Sequence, residues 1–296
     1  MTQDGKTVLI TGASGGVGEA AVRSFDDLGW QVFAGVRSLE RGEKIAKAGS
    51  TVTPVELDLC DEASIARAAR ELALQLGPQG LDGLVNNAGL SIDGPLELLA
   101  VDDLRHQFEV NVIGQVAVIQ AFLPMLRLAR GRVVNIGGAA GRLTLPMYGG
   151  LSASKAALDS LTTALRMELK YQGVSVSYIE PGALQTKFFE KAASRRSRDE
   201  GNADAQRIYS KAIEVSSNAL AKSSTSPVEA AVDAIVKAFT ARRPAARYVV
   251  GRQAKLGLLF LPHLPATLRE RLMMSSLGLR RETFDSATDQ PAPTAR

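Results

Sequence analysis

Residues 6–36, KTVLITGASGGVGEAAVRSFDDLGWQVFAGV, place two short apolar β-rich runs, Lys6–Thr11 and Gln31–Val36, around a helix-period segment that ends near Leu28. Between the first run and the helix lies Thr11-Gly12-Ala13-Ser14-Gly15-Gly16-Val17-Gly18. Glycines there allow positive φ and let a backbone approach a phosphate closely, and the free N–H groups and dipole of the following helix favour an anion. A tight strand-to-helix turn would use the same residues, so the context has to decide. The turn stands at the first junction of a repeating unit, where a dinucleotide fold needs it.

The same alternation continues downstream. Helical Leu39–Ala48 precedes the strand VTPVEL (52–57), and helical Glu62–Leu76 precedes LDGLVNN (81–87). A long helical stretch from about Asp102 to Leu128 leads to RVVNIG (132–137), and a helix from about Ser152 to Tyr171 leads to VSVSYIE (174–180). Strands separated by helices imply right-handed crossovers and an α/β fold: a Rossmann-type doubly wound parallel sheet with helices on both faces. Ligands bind such sheets beyond the carboxyl ends of the strands. No repeat or linker divides the chain before about residue 280, so 1–280 reads as one domain and 281–296 (RETFDSATDQPAPTAR) as a disordered polar tail.

Composition narrows the class. At 296 residues and 45% hydrophobic content the chain can bury a large core, and 22% charged residues argue against disorder of the body. The net charge of +4 comes largely from arginines in the C-terminal third outside any base-reading motif, so no nucleic-acid partner is expected. One cysteine, Cys60, allows no intrachain disulfide and fits a reducing, cytoplasmic compartment. Two distant histidines, His106 and His263, form no metal-ligand cluster, and no metal is expected. The start of the chain carries no signal-peptide core, and no unbroken run of eighteen apolar residues occurs.

With these motifs in order, the chain resembles the short-chain dehydrogenase/reductase superfamily over roughly residues 5–255. The turn at 11–18 fits that family's T-G-x-x-x-G-x-G, Asn86-Asn87-Ala88-Gly89 its N-N-A-G, and Pro181-Gly182 with Thr186 its P-G-x-x-x-T. Asp58-Leu59 fits the acidic position the family uses against adenine. The resemblance implies a nicotinamide dinucleotide held by Thr11, Gly12, Ser14, Gly15, Gly16, Val17, Gly18, Asp58, Leu59, Asn87, Ala88, Gly89, Lys155, Pro181, Gly182 and Thr186. An NAD-selecting member would carry an acid at the end of the second strand; this chain has Val36-Arg37, so NADP(H) is expected, with Arg37 on the 2′-phosphate.

The catalytic set departs from the family. Asn111 and Lys155 stand where the family places them, but four residues before Lys155 comes Leu151 instead of tyrosine, and the serine position is Gly138. Residues four apart share a helix face, so Leu151 lies one turn from the lysine where the resemblance implies a general-acid phenol. Three readings stay open. A redox enzyme could take its proton from elsewhere, with Tyr148, between Met147 and the pair Gly149-Gly150, as the relocated acid beside Asn111 and Lys155. A bound water, the substrate or Lys155 itself could also supply it. An activated C=C bond, imine or ketone on a lipophilic molecule would be the acceptor. Alternatively, a non-redox cyclase or isomerase, or a catalytically inactive NADP(H)-binding protein, could use the same cleft.

Residues of about 186–225, including the charged FFEKAASRRSRDEGN (188–202), read as a substrate lid. The apolar segment 254–276 reads as a cover for the substrate pocket or a subunit contact, with peripheral membrane contact as the alternative. The resemblance implies a homodimer or homotetramer through the helices around 102–128 and 152–171.

Overall fold

The computed structural model describes residues 5–47, 49–195, 203–223 and 225–284. In chain order the elements are β1 (Thr7–Thr11), α1 (Gly16–Asp27), β2 (Gln31–Val36), α2 (Leu39–Ala46), β3 (Val52–Glu56), α3 (Glu62–Leu76) and β4 (Gly83–Asn86). There follow α4 (Val101–Phe108), α5 (Gly114–Ala129), β5 (Arg132–Ile136), α6 (Gly149–Leu169), β6 (Ser175–Pro181), α7 (Phe188–Ser194) and α8 (Ala203–Ala221). The chain continues through α9 (Val228–Thr240), β7 (Arg247–Val250), α10 (Arg252–Phe260) and α11 (Ala266–Ser276).

All strand pairs are parallel, in the order β3-β2-β1-β4-β5-β6-β7. The strand order reverses between β1 and β4, which opens a crevice at their carboxyl ends. The sheet is apolar on both faces because helices cover both. On one face α1 packs on α9, and Phe25, Trp30 and Phe239 meet edge to face at 5.0–5.8 Å between ring centres. On the other, α3 and α5 bury Leu72, Phe122 and Leu126 against Leu9, Phe33 and Leu84.

Three details depart from the sequence reading. β7 was not anticipated: four residues, RYVV, give too short a pattern, and the strand exists because it pairs with β6 through Tyr178↔Arg247 to Pro181↔Val250. The helix of 101–129 is broken in the middle by a π-turn at Glu109–Ile113. It is long and apolar enough to cross a membrane by composition, but its apolar side packs into the sheet core. Third, residues 281–284 fold into a short turn that sets Phe284 edge-on to Tyr209 of α8, so ordered packing runs past 280. The rest of the expected tail, 285–296, lies outside the described residues, as do 196–202 of the expected lid. The described parts of that lid are helical, α7 and α8.

Candidate active site

The glycine-rich turn is built by close contacts that only glycine permits. Gly12 has φ +63°, and a Cβ there would come within 2.8 Å of Ala88 Cα. A Cβ at Gly18 would lie 2.3 Å from the Gly12 carbonyl oxygen, so this glycine lets α1 press onto the turn. Thr11 Oγ1 accepts from the N–H groups of Asn87 and Ala88, both at 3.0 Å, and Asn87 Nδ2 donates to the carbonyls of Thr11 and Gly12 at 3.0 and 3.1 Å. The ends of β1 and β4 are thereby clamped together at the switch point.

No side chain caps α1, whose N-cap is Gly15, while Ser14 and Gly16 are exposed. Thr186 closes over this end: a Cβ on Gly16 would lie 3.0 Å from Thr186 Cγ2. An uncapped helix N-terminus faced by a threonine suits a diphosphate. Arg37 is exposed just beyond β2, beside the turn that is tied to that strand by Ala13 N–H donating to Gly35 O at 3.1 Å. At the end of β3, Asp58 accepts from the Cys60 N–H at 3.0 Å, and buried Leu59 packs on Gly114 of α5. This set of groups fits a nicotinamide dinucleotide: an uncapped helix N-terminus suited to an anion, an acid beyond β3 and an exposed cation beyond β2.

On the nicotinamide side, the Cβ that Gly89 lacks would sit 3.3 Å from Asn111 Oδ1 and 3.6 Å from Lys155 Nζ, so the structure brings Asn111 and Lys155 to one place. Asn111 lies in the π-turn, a distortion that often marks functional helices. Its side chain pairs with both backbone groups of Leu90 at 2.8 Å and donates to Ser154 Oγ at 3.0 Å. Lys155 Nζ donates to the Ile136 carbonyl at 2.9 Å, and burial pushes its pKa down to about 8. Pro181 and Gly182 end β6 beside them, with Gly182 N–H donating to Val250 O at 3.0 Å.

The two substituted positions face this spot. Leu151 is buried one turn from Lys155 on α6. At Gly138 an added Cβ would meet nothing nearer than Lys155 Cγ and Pro181 O, both at 3.9 Å, so the glycine leaves space where it could have held a side chain. Its neighbour is different: a Cβ on Gly137 would strike the Tyr178 ring and hydroxyl.

Tyr148 immediately precedes α6 and is buried, edge-on to Phe189 at 6.1 Å, in a cluster with Met147, Ala212 and Leu277. Met147 before it holds φ +68°, uncommon for a side-chain-bearing residue, and its carbonyl accepts from Gly94 N–H at 2.9 Å. Leu145, Pro146 and Met147 line a groove of about 730 Å³ whose far wall is Tyr209 of α8 and Met273 and Met274 of α11. Leu143, two residues before Leu145, points elsewhere and packs on Gly257 of α10.

An ionic network behind the site escaped the sequence reading. Fully buried Glu180 receives Arg247 at 2.9 Å and Arg142 at 3.5 Å; Arg247 also reaches Asp159 and stacks over Tyr178 at 4.9 Å. Tyr178 donates to the Lys155 carbonyl at 3.0 Å, and burial raises its phenol pKa. The network ties β6, β7 and α6 together directly under Lys155. Its members are far apart in sequence, and only β7, itself unanticipated, joins them.

The comparisons with known proteins agree with this geometry. The short chain dehydrogenase family matches residues 6–197, and the chain belongs to it. It is an oxidoreductase-family protein with a Rossmann-type fold. Among curated relatives, the 3-amino-tetrahydro-pyrrolizinone reductase of Xenorhabdus hominickii is 35% identical over 259 residues, 84% of this chain and 88% of the relative. The NADPH-dependent 3-dehydrocapnine reductase of Ornithobacterium rhinotracheale is 36% identical over 253 residues, 82% of this chain and 87% of the relative. Among solved structures, a short chain dehydrogenase from Burkholderia cenocepacia in complex with NADP aligns with a TM-score of 0.72 at 28% identity, covering 92% of this chain and 99% of that one.

Proposed function

We propose that the protein is an NADP(H)-dependent oxidoreductase that reduces a lipophilic small molecule at an activated C=C, imine or ketone group, without the family's phenol and serine hydroxyl. The carrying observation is that the residues expected to hold the cofactor are all present, with Asn111 and Lys155 brought together at Gly89, while Gly138 and Leu151 stand where the resemblance implies two hydroxyls. NADPH, when bound, supplies the hydride; the phosphate cation would be Arg37, and the names of relatives that use NADP support that choice.

Asn111, braced by Leu90 and Ser154, keeps the carboxyl end of β4 in register with α6. Buried Leu151 beside Lys155, and the Leu145, Pro146, Met147, Met273 and Met274 side of the groove, favour a hydrophobic substrate. The proton is held at Lys155 Nζ, whose lowered pKa makes it a stronger acid than an exposed lysine, and it passes through water in the space beside Gly138. Tyr148, buried against Phe189 behind the groove-lining Met147, is a packing residue in this reading and does not donate. A weakly placed acid suits acceptors that need little protonation at oxygen, which disfavours plain ketones. The assembly is a homodimer or homotetramer in the cytoplasm, using the exposed Leu128, Leu161, Met167 and Tyr171 of the α5–α6 region.

The experiment is NADPH oxidation with matched lipophilic substrates, an enone and a cyclic imine against the saturated ketone. The expected order is enone or imine well above ketone. Binding of NADPH with no oxidation by any of them would leave the inactive or non-redox reading in its place.

A further inference from the structure

We propose that α10 and α11 form a docking face for an anionic phospholipid membrane. Fifteen large hydrophobic side chains are exposed among the described residues, and five of them, Leu256, Leu259, Phe260, Leu268 and Leu272, lie in these two helices. Leu256, Leu259 and Phe260 are each 60% exposed and follow i, i+3, i+4 spacing, so they form one outward stripe on α10 while Ala254 and Leu258 face the core. Leu268 and Leu272, one turn apart, give α11 an exposed apolar pair of its own, and none of the residues of α11 is fully buried.

Charge selects the occupant. Residues 252–276 contain Arg252, Lys255, Arg269 and Arg271 against the single acid Glu270. None of the four cations forms an ion pair within the described residues. A second copy placed on this face by two-fold symmetry would set the same cationic patch against itself, with one acid per copy to offset four cations. An anionic lipid surface instead accepts both components: the leucines and Phe260 enter the acyl boundary and the cations pair with headgroups.

The face adjoins the groove, since Arg269, Met273 and Met274 of α11 line it from within. Docking would therefore present the groove mouth to the bilayer, where a lipophilic substrate would partition. That last step rests on the function proposed above; docking itself does not.

The test is flotation of the full chain, without cofactor or substrate, on phosphatidylcholine vesicles with and without phosphatidylglycerol. Anionic vesicles should bind at least ~10-fold more protein at low salt, with the difference lost at high salt. Leu259→Ser/Phe260→Ser and, separately, Arg252→Glu/Lys255→Glu should each lower binding by ~10-fold or more while leaving NADPH affinity unchanged. Failure to bind, or equal binding to both vesicle types, would overturn the proposal. So would a fall in solution mass caused by the Leu259→Ser/Phe260→Ser change, because a second copy would then be the occupant. Activity with soluble substrates is read separately, so a failed reductase assay leaves the docking result intact.

Discussion

The two halves of the cleft are built by different means. The half proposed to hold the cofactor, at the ends of β1 and β4, is tightly tied: the Thr11 hydroxyl and the Asn87 side-chain amide hydrogen-bond backbone groups of the facing strand end at 3.0 Å, and Gly12 and Gly18 have no room for a side chain. The half proposed to hold the substrate, from Gly138 to Gly149, has open space at Gly138, a backbone outlier at Met147 and groove walls contributed by α8 and α11. A half locked by hydrogen bonds across two strand ends and by glycines without room for a Cβ tolerates almost no substitution, whereas one lined by side chains can change its chemistry without losing the fold. That contrast fits Gly138 and Leu151 standing where the resemblance implies hydroxyls while the glycine-rich turn keeps the family's pattern.

The strongest way to sharpen the comparison is to restore the hydroxyls. Because Gly138 has free space, Gly138→Ser with Leu151→Tyr should fold, and should raise reduction of a saturated lipophilic ketone by on the order of 100-fold or more, the gain expected from a positioned general acid. Steady-state NADPH oxidation checks it; no gain would mean that the substrate half is shaped against carbonyl reduction. Gly18→Ala addresses the opposite half. A methyl 2.3 Å from the Gly12 carbonyl must displace the turn, so calorimetry should show NADPH affinity down by on the order of 100-fold, with a lower Tm.

Arg37→Asp should weaken NADPH by roughly 10- to 100-fold, the worth of hydrogen bonds to a charged group, and leave NADH almost unchanged. An equal effect on both cofactors would detach Arg37 from the 2′-phosphate. Lys155→Met separates function from stability. Burial lowers the lysine pKa from 10.5 to about 8, so between those values the unfolded chain binds more protons than the folded one, and stability of the cofactor-free protein rises with pH across that window. The Met variant should therefore melt above wild type below pH ~8, with the gap closing by pH ~10.5, while NADPH binding is lost. Smallest of all is Tyr148→Phe, whose effect on turnover should fall far short of the ~100-fold loss of a general acid. A loss of that size would make Tyr148 the donor.

How much was legible in the chain differs between these halves for a physical reason. A glycine-rich turn is a local object: glycine spacing, the strand before it and the helix after it all lie within residues 6–36, so Thr11 to Gly18 could be read as a strand-to-helix turn, and the structure has it there. The same holds for α3, read as Glu62–Leu76 and found there, because a fifteen-residue amphipathic period is long and self-contained. β7 and the Glu180–Arg247–Asp159 network were not legible, since a four-residue strand and a buried carboxylate acquire meaning only from partners more than sixty residues away. The groove belongs to the same class, for its walls come from 95–97, 142–149, 209 and 269–284.

The sequence by itself therefore determined the doubly wound sheet, the glycine-rich turn, the Val36-Arg37 charge and the absence of hydroxyls at Gly138 and Leu151, because each is set by residue type at short range. Tertiary structure alone decided that Asn111 and Lys155 meet at Gly89, that Tyr148 turns to Phe189, and that α10 and α11 leave an apolar, cationic face outward. Side-chain direction and exposure depend on which distant element packs alongside, and local pattern carries no record of that.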